Sequence, residues 1–254
     1  MTTSTPTSPT TPRRPALDRG VAMRLAATEY DRFLGQLARL AEPDWKRPTA
    51  CPEWDVRSLA THVLGMADMA ASVPGGMRQA LRARRRGGVF IDALTGLQVE
   101  DRAGLGPDQI VSRFATVGPR AARGRARTPG FVRARTMPGG QPVGDGTEEA
   151  WTIGYLLDVI LTRDTWMHRM DLAAATRQTP ELTPEHDGTL VDDVAREWAA
   201  RHAQPCTLVL TGPAGGTWTF GAGTSPLELD AIEFCRQLSG RGKRTGLLQT
   251  AVPF

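Results

Sequence analysis

Lysine and cysteine are nearly absent from this chain of 254 residues. Lys46 and Lys243 are its two lysines, so arginine carries almost all of the positive charge. The three cysteines, Cys51, Cys206 and Cys235, are odd in number and far apart. They make no CxxC pair and no disulfide framework, which excludes a cysteine zinc module and a stapled secreted scaffold. A reducing cytoplasm is therefore the expected compartment. No apolar run reaches the ~18 residues that a membrane span needs, and the N-terminal stretch has no apolar signal core. The GxSxG elbow, the P-loop and a GxGxxG opening a helix after a strand are also missing. The charge surplus is small, with 31 basic against 27 acidic side chains and a net charge of +4. That argues against a dedicated nucleic-acid binder. The two arginine clusters, Arg82 with Arg84, Arg85 and Arg86, and Arg120 with Arg123, Arg125 and Arg127, read as solvated faces.

What is present suits a globular protein: 40% hydrophobic and 23% charged residues, enough for one large domain or two smaller ones. Residues 1–16 are rich in Thr, Ser and Pro and are expected to be disordered. Apolar residues at helical spacing predict helices over about 17–41, 53–73 and 108–123. Pro107 suits the first turn of the third. Between the second and third lies a basic, Gly-punctuated region of helix pieces and loop, and residues 124–147 form a long connection. A densely apolar helix is predicted over 147–175, and a further one over 184–202. CTLVLTG and GTWTFGAG read as two short strands around the turn at 213–216, and 226–239 as a closing helix. The first part is thus all-helical and the tail mixed, with a boundary near 178.

Two helices carry polar residues where core residues belong. Asp164 and His168 are four apart, so they share a face one turn apart, in line with Leu157, Ile160 and Leu161. His62 sits in the apolar stripe of the second helix, between Leu59 and Met66. A lone inward histidine is more often a hydrogen-bonded core residue than a ligand, and a DxxxH spacing arises readily by chance. Together, two histidines and a carboxylate facing one bundle interior match a catalytic zinc site, which uses three protein ligands and leaves a fourth position open. Imidazole also suits iron, nickel and cobalt. His186 and His202 read as surface residues. Asp171 is either an orienting partner of His168 or, as favoured, exposed beside Arg169. Cys51 could serve as a thiol nucleophile with His62, but Trp45, Pro48, Pro52 and Trp54 around it favour a packed structural loop.

The phrase WKRPTACPEWDVRSLATHVLG (45–65) resembles the signature of mycothiol-dependent maleylpyruvate isomerase-like proteins, within the DinB-like metalloenzyme superfamily. TRDTWMHRMDLA (162–173) and the closing EFCRQLSGRGKRTGLLQTAVPF (233–254) resemble two later motifs of the same family, in the right order. The resemblance implies an α+β protein, with a DinB-like four-helix bundle over 17–178 and a small sterol carrier protein-like α/β domain over 179–254. It implies a divalent metal, zinc in the first instance, held by His62, Asp164 and His168. The isomerase pattern has Glu where this chain has Asp164, which is one methylene shorter. Arg241 matches a C-terminal Arg region that binds substrate carboxylates or stabilises an oxyanion; a plain surface arginine is the equal alternative.

The activity so implied is a metal- and mycothiol-dependent isomerase or S-transferase acting on a small electrophile such as maleylpyruvate. Its partners would be that substrate and a low-molecular-weight thiol, without nucleic acid or membrane, in a monomer or homodimer. The competing reading is a non-catalytic metal-binding sensor or interaction protein. A pocket running from metal to solvent would favour the enzyme, and a fourth protein ligand the sensor.

Overall fold

A computed structural model describes residues 11–144, 147–222 and 226–254. Helix α1 (Arg19–Leu37) opens on Asp18, whose carboxylate accepts from the backbone N–H groups of Gly20 and Val21. After a loop pinned by the buried Trp45, Asp55 caps α2 (Val56–Ala71) by accepting from Ser58 N–H. Such caps satisfy donors that a helix start otherwise leaves orphaned. Next come α3 (Val73–Arg86), α4 (Phe90–Glu100) and α5 (Pro107–Arg127). The basic region between the second and third expected helices is therefore two complete helices packed on α2, joined by Gly87 and Gly88 at positive φ.

A short α6 (Gly130–Arg133) and an antiparallel hairpin, β1 (Gln141–Val143) with β2 (Thr147–Glu149), fill the long connection. One helical stretch then begins as α7 (Ile153–Tyr155), loosens into a π turn over Leu156–Ile160 and continues as α8 (Leu161–Thr176). Helices α1, α2, α5 and α8 surround a core that includes Phe33, Leu59, Val63, Phe114 and Leu172.

Beyond α8 lie α9 (Thr189–His202) and a three-stranded sheet ordered β4-β3-β5. Strand β3 (Cys206–Thr211) pairs antiparallel with β4 (Gly216–Phe220) and parallel with β5 (Pro226–Asp230). Helix α10 (Ala231–Leu238) follows. The expected closing helix over 226–239 is corrected here: its first five residues are a strand. Leu227 and Leu229 alternate with exposed neighbours and face the core, the period of a half-buried strand. Asp230 then caps α10, accepting from Ile232 and Glu233 N–H.

Two further expectations need correction. Of the expected disordered tail, residues 1–10 lie outside the described residues, but Arg13 is tied down. It bridges to Trp151 and donates to Glu149 Oε2 at 3.0 Å. His186, expected at the surface, is buried, with Nε2 2.8 Å from Glu29 Oε2. Among the described residues no helix is long and apolar enough to cross a membrane.

Helix α8 is covered from two sides. Trp166, Met167 and Met170 pack with α9, β3 and α10, while Leu172 packs into the bundle. Arg163, Arg169 and Asp171 on it are buried as well, and each has a partner, as burial of charge requires. Arg163 pairs with Asp193 and Glu197, Arg169 with Glu29 and Asp187, and Asp171 with Arg241.

Candidate metal centre

The periodicity of α2 and α8 brings His62, Asp164 and His168 to one point. Asp164 Oδ1 lies 3.6 Å from His62 Nε2 and 3.4 Å from His168 Nε2. One donor atom from each of the three residues falls within 4.8 Å of the other two. Both histidines are buried, and their rings meet edge-on with centroids 5.2 Å apart. Trp54, from the loop before α2, lies against both rings, at 4.9 Å from His62 and 5.9 Å from His168.

The outer nitrogens of both rings are engaged. His62 Nδ1 is 3.0 Å from Gln98 Oε1. Gln98 donates from its Nε2 to Gln79 Oε1 and to Met66 Sδ, which fixes its amide with the oxygen toward the histidine. His168 Nδ1 is 3.3 Å from Asp171 Oδ2. An acceptor on Nδ1 selects the tautomer with its proton there and leaves the Nε2 lone pair exposed. Two such lone pairs then face one carboxylate, whose second oxygen, Oδ2, is buried without a hydrogen-bond partner among the described residues. Three electron-rich groups at this spacing call for a positive charge among them. This donor set fits a divalent cation of the kind that binds imidazole and carboxylate.

In the protein alone, protons answer the same demand. Burial pushes the Asp164 carboxyl up, yet His168 and His62 beside it hold it far below the usual carboxylate range. Burial disfavours the imidazolium of His168, but Asp164 more than offsets that and holds its pKa well above the usual value.

Asp171, expected beside Arg169 in solvent, is fully buried and faces the site. Arg241 donates from Nε to both of its oxygens, at 2.9 and 2.8 Å, and Arg236 lies 3.3 Å from Oδ1. Arg241 is thus fastened through Asp171 to His168. Cys51 makes a second group with His168 and Asp171 on the outer side of that ring. The two arginines already neutralise Asp171, so ion pairs close this second group.

Sequence reasoning missed Gln98 altogether. It lies one turn past Leu94 on α4, a polar residue in an apolar stripe, inside a region read as fragments. Its approach depends on Gly65: a Cβ there would lie 2.6 Å from Gln98 Cβ and Cγ.

The triad opens on a cavity of about 650 Å³, lined by His62 and Asp164 on one side and by Arg241 and Arg244 on another. The sequence profile of the mycothiol maleylpyruvate isomerase N-terminal domain matches residues 26–173. The chain belongs to that family. Two solved structures, the mycothiol-dependent maleylpyruvate isomerase and a mutant of it, share its fold. They match with TM-scores of 0.55 and 0.56, at 17% and 15% identity, over 89% of this chain and 90% of theirs. No curated protein matches the chain in sequence. As in the isomerase structures, the fold is α+β, a DinB-like helical bundle with small sheets. The stretch matched to the mycothiol maleylpyruvate isomerase N-terminal domain carries His62, Gln98, Asp164, His168 and Asp171. Arg241 and Arg244 lie beyond it.

Proposed function

We propose that the chain is a metal-dependent enzyme that uses a low-molecular-weight thiol, mycothiol by family, either to isomerise an electrophilic substrate or to be joined to it as a thioether. The observation that carries this reading is the convergence of His62, Asp164 and His168 at one wall of a cavity, with Asp164 Oδ2 buried and without a hydrogen-bond partner among the described residues. Those three residues are the proposed ligands and zinc the proposed metal, in the three-ligand arrangement that leaves a position for a further group. A metal bound there supplies a Lewis acid that favours the thiolate, the nucleophilic form of a thiol.

The chain's own residues do the rest. Gln98 and Asp171 hold the two imidazoles by Nδ1, so that both Nε2 atoms point at Asp164. Trp54 and the apolar walls exclude water from the donors, which strengthens their electrostatics. Arg241, oriented by Asp171, presents its charge at the cavity, where it can stabilise an oxyanion. In the isomerase version the thiolate adds to a conjugated cis double bond, the resulting single bond rotates, and elimination returns the thiolate. In the transferase version the enolate formed by the addition takes a proton from water, and the thioether is the product. The cavity and the absence of a fourth His, Cys, Asp or Glu in the group, among the described residues, favour an enzyme over a closed structural or sensing site.

The test has two parts. Elemental analysis of wild type beside His168→Ala is expected to find about one equivalent of metal in the first and little in the second. Turnover of a cis-conjugated electrophile is expected to need thiol. Equal rates with and without thiol, or equal metal in both proteins, would refute the reading.

A further inference from the structure

The cavity is built for something less polar than its charged floor suggests. Away from the triad its walls are Met66, Met69, Phe90, Ile91, Leu94 and Trp151. At about 650 Å³ it falls within the range of pockets that enclose ligands of drug size. A compact, doubly charged molecule would leave those apolar walls against water, forgoing the burial that drives association.

The charged residues of the cavity are unequal. Arg241 is held in place by Asp171, both of whose oxygens accept from its Nε, and its charge is the one proposed above for an oxyanion. Arg244, three residues on and also in the cavity wall, has its Nη1 buried without a hydrogen-bond partner among the described residues. A buried donor left unmade is costly, and a planar guanidinium is the group best matched to a carboxylate. One uncommitted guanidinium argues for one anionic group on the ligand.

We infer that the cavity takes an electrophile with a bulky apolar or aromatic body and a single carboxylate, and that Arg244 holds that carboxylate. This names the substrate class for the site proposed above and rests on that reading for the word electrophile. The apolar body lies along Ile91, Phe90 and Leu94, with the carboxylate at the C-terminal side. Arg244 is then a specificity residue that sets which substrates enter.

Binding tests this without turnover. Isothermal titration calorimetry on the full chain, as purified and again after chelation, would compare three probes: 4-phenylbutanoate, its neutral amide, and succinate. The expected result is that 4-phenylbutanoate binds about ten-fold tighter than either of the others, the worth of one charge-assisted hydrogen bond. In Arg244→Met the acid loses that advantage while the amide binds as before, which also shows the variant is folded. Ile91→Asp weakens acid and amide alike. Chelation leaves the order unchanged.

Succinate binding as tightly as the acid would overturn the inference, as would no binding by any probe. So would an acid advantage that survives Arg244→Met, or one that vanishes on chelation, since the carboxylate would then sit on the metal. The two proposals fail separately: thiol-independent turnover would sink the catalytic reading and leave the Arg244 result standing, and the reverse also holds.

Discussion

At the scale of single residues, the proposed metal site rests on side chains outside the triad itself. Gln98 holds His62 by Nδ1, and loss of such an outer partner typically costs about 10–100-fold in metal affinity. Gln98→Leu is expected to fall in that range in a competition titration against a chelating dye, with the bundle still folded. Gly65→Ala is expected to do the same by a different route, because the added methyl would displace Gln98 rather than remove it. A Gly65→Ala protein that keeps wild-type affinity would show that α4 can shift without cost. His62, Asp164 and His168 were legible because each breaks an apolar helical stripe. Asp171 was not legible in the same way. Periodicity assigns a polar residue to solvent when a helix has one wet face, and α8 has none along this stretch.

At the scale of elements, α8 explains both the strongest and the weakest parts of the sequence reading. Its apolar density, free of proline, announced a helix. Its burial by the bundle on one side and by α9, β3 and α10 on the other hid the pairing of its charges. Arg163 is fully buried between Asp193 and Glu197. Removing one member of a buried pair strands the others, so Arg163→Met is expected to cost about 3–5 kcal/mol in urea unfolding. Burial pushes the Glu197 carboxyl up, but Arg163 and Arg201 outweigh it and hold its pKa at about 2, against 4.5 when unperturbed. The folded value is the lower one, so the unfolded chain binds the extra proton. The part of the stability that Glu197 contributes is therefore present above about pH 4.5 and is lost as pH falls toward 2. Glu197→Gln should start less stable and lose less on acidification; equal acid slopes for the two proteins would contradict this. Strand β5 escaped the sequence reading for a local reason. Five residues hold too few periods to separate alternation from a helix start, and α10 follows without a break.

At the scale of the whole molecule, the N- and C-terminal parts share structure. One hydrophobic core joins Leu25 of α1 and Trp166 and Met170 of α8 to α9, the sheet and α10. A chain cut after Gln178 would expose Trp166 and Met170 and would strip partners from Arg163, Arg169 and Asp171. Such a fragment is expected to bind a hydrophobic dye and to melt without a cooperative transition, whereas the full chain unfolds in one step. A fragment that melts sharply with native-like helix content would show that the bundle stands alone. The sequence reading put a change of character near residue 178 because its strand and turn signals lie beyond it, and so missed the β1–β2 hairpin at 141–149 within the part expected to be all-helical. It could not show that α8 belongs to both sides, since that depends on what the tail folds back upon.

The contact of Asp171 with both His168 and Arg241 has a consequence at a distance. If a cation at the triad steadies His168, the same carboxylate is steadied for its hold on the closing segment, and the benefit must run equally in the other direction. Occupancy of the centre and docking of residues 239–254 are then two readings of one equilibrium. Added zinc should slow tryptic cleavage after the exposed Lys243, and Arg241→Ala should both break that protection and, by the same coupling, weaken zinc binding.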